Sequence, residues 1–499
     1  MTIALAYILL LLICIRYFPF FNDQYINKTV FSIAFLLKVC MGFVLTYIYT
    51  NYYPDRSTAD IYKYYDDAKV MAGAAYHHPL DYLKMLSGIG NDNAYFDEQY
   101  YSKMNHWCRR YDFGTYNDNH TIIRFNALLM LVSFGSFHVH TLVMCFISFL
   151  GLTALYKSFT GFFPSKKNLV FAAVFLVPSV LFWGSGVLKE GILLFATGFI
   201  VYTFVKIVIE KKITTVYVLL FLSALLLQLV NKNYLLLTIC PPLLCFGLVH
   251  CFKIKKVIFF YCAFLLLLFG TAYIVLKTMN KDPLQSIVSK RRDFVNLTRG
   301  GTFMLNQDLL IRIEPGKKEF LDTLDTKHFR IKPGSSYMYW RLDNFNDTLT
   351  STNSTDTSAY ELVWDLPLAG SGIAVSPLQP NLVSFTAHIP EALYISFLQP
   401  TLAVADSLPE KAAAIENCVL LLLLTLSFIF ADFKNTDKNW LMLCAAVVLI
   451  LYLIIGFTTP VAGAIVRYKI PALPFLMMIA INVIDTKRLR KIPLIKNLL

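Results

Sequence analysis

Charged residues are scarce in this chain. Only 15% of its 499 residues are Asp, Glu, Lys or Arg, while 57% are hydrophobic. A soluble domain of this size carries more charge on its surface, so this composition argues against an ordinary soluble fold. The apolar residues also collect in long runs, which predicts a polytopic membrane protein.

Patterns for disulfides, metals and nucleotides are absent as well. The ten cysteines form no disulfide framework and no C-x-x-C spacing. There is no internal repeat, and Gly300-Gly301 alone is too weak to indicate a phosphate-binding loop. The first residues, MTIALAYILLLLICIRYF, lack a basic n-region and a small-residue cleavage site, which predicts a retained membrane helix.

Apolar runs predict about eleven transmembrane helices. The runs lie near residues 2–19, 30–50, 138–156, 168–184, 188–208, 214–230, 232–250, 256–277, 416–431, 439–457 and 464–484. The net charge of +13 could suggest nucleic acid, but the basic residues cluster in short loops beside these runs. This is the positive-inside pattern, so the basicity reports topology and no nucleic-acid partner is expected.

Alternation from a cytoplasmic C-terminus places two long polar segments outside, 51–120 and 278–415. This requires that 121–134 does not span the membrane. The expected organisation is an N-terminal membrane domain at 1–277, an extracytoplasmic segment at 278–415, and C-terminal transmembrane helices with a basic tail at 416–499. Alternating residues and Pro-Gly turns predict that 278–415 is partly β-rich. The fold class is therefore all-α and membrane-spanning, with a small mixed or β-rich outer segment.

Acidic residues and tyrosines follow the helix predicted at 30–50. They include Asp55, Asp60, Tyr64, Asp66 and Asp67. Helical spacing puts Asp60, Tyr64 and Asp67 on one face and directs Asp66 elsewhere. A carboxylate at this position can act as a general base, or hold a divalent cation such as Mg²⁺ or Mn²⁺ beside a phosphate. The alternative is a solvated acidic loop that caps a helix.

Lys189 and Glu190 lie in an otherwise apolar stretch, directly after the sequence FWGSGVL. An ionised side chain at membrane depth costs at least about 2.5 kcal/mol, so the pair requires a function or a helix-end position. Lys189 can neutralise a phosphate, Glu190 can orient the phosphate or an acceptor, and Trp183 suits a membrane interface. The alternative is an ion pair that snorkels at a helix end.

A third cluster, Arg467 and Tyr468, opens the last predicted span. A guanidinium just inside the outer leaflet is suited to bidentate capture of a phosphate, or else it anchors a helix among lipid headgroups. Smaller candidates are Arg124 for phosphate and the run Asn231–Asn233. Tyr64, Trp183 and Tyr468 complete the predicted site as substrate-binding residues, and no metal ligand set is predicted.

The three clusters resemble motifs of the GT-C superfamily of polytopic membrane glycosyltransferases, of the bacterial envelope-polysaccharide type. The resemblance lies in a D-x-x-x-Y stretch at Asp60–Tyr64, the segment PSVLFWGSGVLKE at Pro178–Glu190, and RYKIPALP at Arg467–Pro474. It covers about 30–270 and 380–484. The stretch at about 300–370 matches no pattern of the superfamily.

The resemblance implies an inverting transfer of a sugar from a polyprenyl-phosphate-linked donor to an envelope glycan or lipid acceptor, at the outer face of a bacterial inner membrane. Asp60 would be the catalytic base, with Asp55, Asp66 and Asp67 as the other candidates. Lys189 and Arg467 would bind the donor phosphate, and Glu190 would support the acceptor or Lys189. A D-x-D pair is absent from this loop, so the requirement for a metal stays open.

Three alternatives to a glycosyltransferase fit the same features. A polymerase that joins O-antigen or exopolysaccharide repeat units also needs a large outer segment and cations for diphosphate. A transporter of lipid-linked saccharides is less favoured, because transporters show repeat symmetry and mid-membrane polar residues. A non-catalytic scaffold that binds through 278–415 is the remaining possibility.

Overall fold

The computed structural model describes residues 2–52, 56, 59–107, 116–307, 309–325, 328–341, 349–352, 358–366 and 368–489. Within these residues, nine helices are long and apolar enough to cross a membrane. The expectation of a multi-pass membrane protein is confirmed. The two other predicted runs form shorter pieces, a 16-residue helix at Thr2–Tyr17 and a broken helix at 167–183.

The helices are numbered here along the chain. The first twelve are α1 (Thr2–Tyr17), α2 (Lys28–Tyr52), α3 (Asp60–His77), α4 (Pro79–Ser87), α5 (Ala94–Gln99), α6 (Asn119–Ser133), α7 (Phe137–Phe162), α8 (Lys167–Phe175), α9 (Pro178–Trp183), α10 (Lys189–Phe204), α11 (Thr215–Lys232) and α12 (Tyr234–Phe252). The rest are α13 (Val257–Thr278), α14 (Pro283–Arg299), α15 (Leu382–Leu398), α16 (Leu408–Ile429), α17 (Lys438–Thr458), α18 (Ala462–Tyr468), α19 (Leu473–Val483) and α20 (Thr486–Leu489).

The chain forms two compact units that are discontinuous in sequence. The first unit comprises Met1–Leu266, Cys418–Leu451 and Lys469–Leu499, and the second comprises Leu267–Asn417 and Tyr452–Tyr468. The segments predicted from the sequence are consecutive. The boundaries between the two units fall instead within α13, α16 and α17, so each of these helices contributes residues to both units. Each unit has its own packed interior.

Glycines set the packing of α7 against α10 in the first unit. A Cβ on Gly198 would lie 1.9 Å from the carbonyl oxygen of Gly151, and a Cβ on Gly151 would lie 2.3 Å from the Cα of Phe195. Such distances leave no room for a side chain, so the two backbones touch as they do in small-residue crossings of membrane helices. This crossing fixes α10, whose first residue is Lys189.

The helical structure of the first unit is interrupted before α9 and after α6. α8 ends at Phe175, and α9 begins at Pro178 because proline removes a backbone donor and suits the first turn of a new helix. α6 is a 15-residue helix, shorter than the nine candidate spans. It ends at Phe134 and Gly135, which both have positive φ and turn the chain into α7.

The β-rich segment predicted in 278–415 is confirmed in the second unit as one seven-stranded antiparallel sheet. Its strands are β1 (Gly301–Asn306), β2 (Leu309–Ile313), β3 (Leu321–Thr323), β4 (His328–Ile331), β5 (Ser336–Arg341), β6 (Leu349–Thr352) and β7 (Tyr360–Leu366). They lie in the order β3-β4-β7-β1-β2-β5-β6. Met304, Ile311, Ile313, Ile331 and Tyr360 form the sheet's buried cluster.

Candidate functional site

One face of α3 is turned toward the loop at 105–107 in the first unit. The ring of Tyr64 lies 5.8 Å from the ring of His106, and Asp67 accepts hydrogen bonds from the backbone N–H groups of Asn105 and His106, both at 2.7 Å. Asp60 begins the helix one turn before Tyr64, on the same face by spacing. The helix thus presents the face that the spacing predicts.

Asp66 points away from that face. Its carboxylate accepts two hydrogen bonds from the guanidinium of Arg56, at 2.8 and 2.9 Å. The Arg56 side chain is 53% exposed and that of Asp66 35%, so this is a solvent-accessible pair. The bond to Asp66 raises the pKa of Arg56 above its ordinary value. Asp55, another predicted candidate, lies outside the described residues.

Asp67 is hydrogen-bonded to the backbone of the loop at 105–107. Burial raises the pKa of its carboxyl group above the ordinary range, and the backbone hydrogen bonds from Asn105 and His106 oppose that effect without cancelling it. The carboxylate is 1% exposed. Asp67 is therefore suited to organising the loop, because its oxygens are already used by backbone donors.

Three helix ends meet at an ion-pair network around Asp118. The carboxylate of Asp118 lies 2.7 Å from the Nζ of Lys189 and 3.2 Å from the Nζ of Lys232. Asp118 precedes the first residue of α6, Lys189 is the first residue of α10, and Lys232 is the last of α11. A carboxylate suits a helix N-terminus and a cation suits a C-terminus, but Lys189 opposes the dipole of its own helix. The carboxylate compensates for that position.

Lys189 has two further contacts. Its Nζ donates a 2.6 Å hydrogen bond to the Oδ1 of Asn119 and lies 5.5 Å from the centre of the Tyr64 ring. A cation at this distance from a tyrosine face is attracted by the ring. Tyr64 therefore connects the network to the α3 face that begins with Asp60, so the structure brings the first two predicted clusters together.

This arrangement can bind an anion beside a carboxylate base. The lysines are held by one carboxylate in a partly enclosed position, since the side chains of Lys189, Asp118 and Lys232 are 7%, 15% and 22% exposed. Two ammonium groups close together favour a phosphate, whose oxygens accept charge-assisted hydrogen bonds. The carboxylate of Asp60, one turn of α3 before Tyr64, can accept a proton from a hydroxyl group.

Arg124, predicted as a phosphate ligand, contacts several residues of the polar segment that precedes α6. Its Nε donates to the carbonyl of Met85 at 2.9 Å, and its Nη1 donates to the hydroxyl of Tyr116 at 3.0 Å. The guanidinium lies 5.2 Å from the centre of the Trp107 ring, which stacks on His120 at 3.9 Å. These contacts give Arg124 a positioning role in the loop, and phosphate binding by Arg124 stays a prediction.

Glu190 and Trp183 lie on either side of the break before α10. Glu190 is 3% exposed and occupies the first turn of α10, where a negative charge complements the helix dipole. Trp183 is the last residue of α9, and its ring makes edge contacts with Tyr49 at 6.4 Å and Phe182 at 5.1 Å. The predicted catalytic role of Glu190 and the predicted substrate contact of Trp183 stay predictions.

Arg467 and Tyr468 belong to the second unit, at the end of α18. The ring of Tyr468 lies 6.3 Å from that of Phe294 on α14. Arg291, which is also on α14, donates a 2.6 Å hydrogen bond to the carbonyl of Ser376. Its Nη2 lies 3.5 Å from a carboxylate oxygen of Glu391. The predicted donor-phosphate and substrate roles of Arg467 and Tyr468 stay predictions.

Metal ligation has no grouped ligand set in the described part of the chain. No three His, Cys, Asp or Glu side chains there are close enough together to hold an ion. Two histidines, His138 and His140, lie close together in sequence at the start of α7. They have different environments, because His138 is exposed whereas His140 is buried and hydrogen-bonded to Asn126 and Ser133. The use of a divalent cation such as Mg²⁺ or Mn²⁺ therefore stays a prediction.

Sequence reasoning missed Asp118, the residue at the centre of the site. The run Asn117-Asp118-Asn119-His120 comes directly before an apolar periodic stretch, which is the pattern of a helix N-terminus. That signal would have located the start of α6. It could not have paired Asp118 with Lys189 and Lys232, because those residues are far apart in sequence.

Comparison with known proteins adds no relative. The chain matches no protein-family model, no curated protein and no solved structure.

Proposed function

We propose that this protein is a membrane glycosyltransferase that moves a sugar from a polyprenyl-phosphate-linked donor to a glycan or lipid acceptor at the outer face of a bacterial inner membrane. The GT-C-like fold and the count of eleven spans are part of this proposal. The nine candidate spans and the antiparallel sheet are compatible with it. The motif resemblance in the sequence supplies the reaction class.

One observation carries the proposal. Two lysines share one carboxylate where α6, α10 and α11 meet, and Tyr64 links them to the face of α3 that begins with Asp60. A glycosyl phosphate presents an anionic group beside a reacting carbon, and its acceptor presents a hydroxyl. A cation pair next to a carboxylate supplies the two groups that this transfer needs.

Asp60 is the proposed base. It lies on the same face of α3 as Tyr64, and the Nζ of Lys63 is 3.9 Å from its carboxylate. Asp66 is directed away from that face toward Arg56, and Asp67 is buried against the loop backbone. In the reaction, Asp60 takes the proton of the acceptor hydroxyl while that oxygen forms a bond to the anomeric carbon. The bond from the same carbon to the phosphate oxygen breaks, and Lys189 and Lys232 stabilise the charge on the departing phosphate.

Sugar transfer in proteoliposomes tests the proposal. The purified protein is supplied with labelled polyprenyl phosphate sugars and a membrane glycan extract, and transfer is followed for wild type, Asp60→Asn, Lys189→Met and Arg467→Ala. We expect Asp60→Asn to reduce the rate by about 100-fold or more, because general base catalysis contributes about that much. Lys189→Met should reduce it by a similar factor through loss of charge at the phosphate.

Two matched variants serve as controls. Asp97→Asn removes an exposed carboxylate from α5 in the same polar segment. Lys206→Met removes a lysine from the far end of the α10 span, where it pairs with Glu210 at 2.6 Å. Both should transfer sugar at close to the wild-type rate. Unchanged rates in Asp60→Asn and Lys189→Met would reject the site. No transfer by wild type from any donor would reject the reaction.

A repeat-unit polymerase is the second candidate, favoured by the seven-stranded sheet of the second unit, which is a folded module in the segment predicted to lie outside. A polymerase uses the same phosphate chemistry on a larger donor. Product length separates the two functions, because a transferase adds a single sugar and a polymerase makes a ladder of repeats.

A further inference from the structure

The buried side of α11 is polar. Of its eighteen residues, Ala224, Gln228 and Asn231 are the buried ones, and the others are exposed or partly exposed and mostly apolar. Gln228 lies one turn from Lys232, so both project from the same side of the helix, with Asn231 between them. The stripe that packs inward therefore leads from the ion-pair network along the helix toward the membrane interior.

The amide of Gln228 is fully enclosed and unsatisfied. Its side chain is 0% exposed, and neither its Oε1 nor its Nε2 has a hydrogen-bond partner among the described residues. Asn231 is 3% exposed; its Nδ2 donates to the carbonyl of Leu227 at 2.8 Å, and its Oδ1 has no partner there. An unsatisfied buried amide is destabilising, and lipid offers no replacement partner.

The unsatisfied atoms define the chemistry of a ligand. One donor, the Nε2 of Gln228, and two acceptors, the Oε1 of Gln228 and the Oδ1 of Asn231, require groups that both donate and accept hydrogen bonds. A phosphate has acceptors only and would leave both amide oxygens without a donor. Hydroxyl groups satisfy all three atoms, since each carries one donor and two acceptor positions.

We infer that Gln228 and Asn231 bind the hydroxyl groups of the sugar in a lipid-linked glycosyl phosphate, and that Lys189 and Lys232 bind its phosphate. This inference rests on the proposed function and adds the residues that recognise the sugar. Gln228 is about 6 Å along the helix axis from Lys232, from a rise of about 1.5 Å per residue. A sugar attached to a phosphate at Lys232 therefore spans the distance to the amide, and it makes contact once the side chains that enclose Gln228 move aside.

Binding of paired lipids by the full-length protein tests the inference. The probes are undecaprenyl phosphate and the same lipid carrying glucose, galactose, mannose, N-acetylglucosamine, rhamnose or arabinose, measured in detergent micelles. We expect at least one glycosylated lipid to bind wild type about tenfold or more tightly than undecaprenyl phosphate. Gln228→Met and Asn231→Leu should each lower that ratio about three- to tenfold and leave binding of the plain lipid unchanged.

Two controls separate recognition from structure. Gln399→Met makes the same substitution at a buried glutamine of the second unit whose Oε1 also has no partner among the described residues, and it should leave the ratio unchanged. Gln228→Asn keeps the amide but shortens it, so an intermediate ratio is expected. If Gln228→Met does not fold, the wild-type ratio and Asn231→Leu decide the question.

Three outcomes overturn the inference. They are equal binding of plain and glycosylated lipids by wild type, a ratio unaffected by both amide substitutions, and an equal loss of binding for plain and glycosylated lipids. The reaction is judged separately. If wild type transfers no sugar but keeps an amide-dependent ratio, the proposed function fails and the inference holds. If transfer occurs and the ratio responds to neither amide substitution, only the inference fails.

Discussion

The carboxylate of Asp118 and the ammonium group of Lys189 form a 2.7 Å ion pair that joins the N-termini of α6 and α10. Lys232, at the end of α11, shares the same carboxylate. One acidic residue thus holds two cations that would repel each other without it. The network orders both lysines before any ligand arrives, which favours binding because less side-chain freedom is lost.

Removing that carboxylate should weaken the first unit. Asp118→Asn leaves two partly buried lysines without their common counter-charge, and we expect a loss of about 1–3 kcal/mol in the free energy of unfolding. Lys189→Met should lower the free energy of unfolding by less, because Asp118 still forms its ion pair with Lys232. Thermal unfolding in detergent measures both. Asp66→Asn breaks an exposed pair and should cost about 1 kcal/mol or less. A smaller effect for Asp118→Asn than for Asp66→Asn would contradict the network's importance.

Glycine substitutions should have opposite effects at two helical positions. Gly198→Ala places a Cβ 1.9 Å from the Gly151 carbonyl oxygen, so α7 and α10 must separate, and we expect a loss of at least about 2 kcal/mol. Gly73→Ala on α3 meets no atom within 4 Å and should add about 0.5–1 kcal/mol, because alanine favours the helix. Thermal unfolding compares the two. Equal tolerance of both changes would rule out the close crossing.

The loop at 105–107 should become less stable as the pH rises. The pKa of Asp67 is raised by burial in the folded loop, so the folded form binds the proton more tightly than the open form. Its contribution is complete below the ordinary value of about 3.8 and is lost as the pH rises through the raised pKa. Hydrogen exchange at Asn105 and His106, corrected for intrinsic rates, measures loop opening. Asp67→Asn should remove the dependence, and persistence in that variant would exclude Asp67 as its source.

Lys38 in the middle of α2 should be replaceable with a gain in stability. Its side chain is 1% exposed, and its Nζ has no hydrogen-bond partner among the described residues. Methionine has a similar length and no polar donor, so Lys38→Met should raise the free energy of unfolding by about 1–3 kcal/mol. Thermal unfolding checks the sign. A loss of stability would contradict the conclusion that the ammonium group is buried without a partner.

The predicted sidedness can be tested by cysteine labelling. Asp92→Cys and Lys318→Cys, at exposed positions of the two polar segments, should react with an impermeant maleimide in intact cells. Lys255→Cys, in a basic loop, should react only after permeabilisation, as the charge rule requires. The unsubstituted protein controls for the native cysteines. Labelling of Asp92→Cys only from the cytoplasm would remove the common site from the outer face.

The membrane architecture was largely predictable. The apolar runs at 30–50 and 439–457 correspond to α2 and α17. A hydrocarbon environment requires long apolar helices, and such helices are visible in the sequence as uninterrupted apolar runs. The strands at Leu309–Ile313 and Ser336–Arg341 followed from alternation, and the turns at Pro315-Gly316 and Pro333-Gly334 followed from local turn chemistry. These features depend on neighbouring residues only.

The sequence by itself determined the membrane class, most of the helices, the sheet segment and the face shared by Tyr64 and Asp67. Those follow from local periodicity, hydropathy and turn residues. Only the tertiary structure decided that Asp118 joins Lys189 to Lys232, that Arg56 engages Asp66, and that Gln228 is enclosed. Such pairings link residues far apart along the chain, and they depend on which helix ends meet, which is set by packing between helices and not by any local pattern.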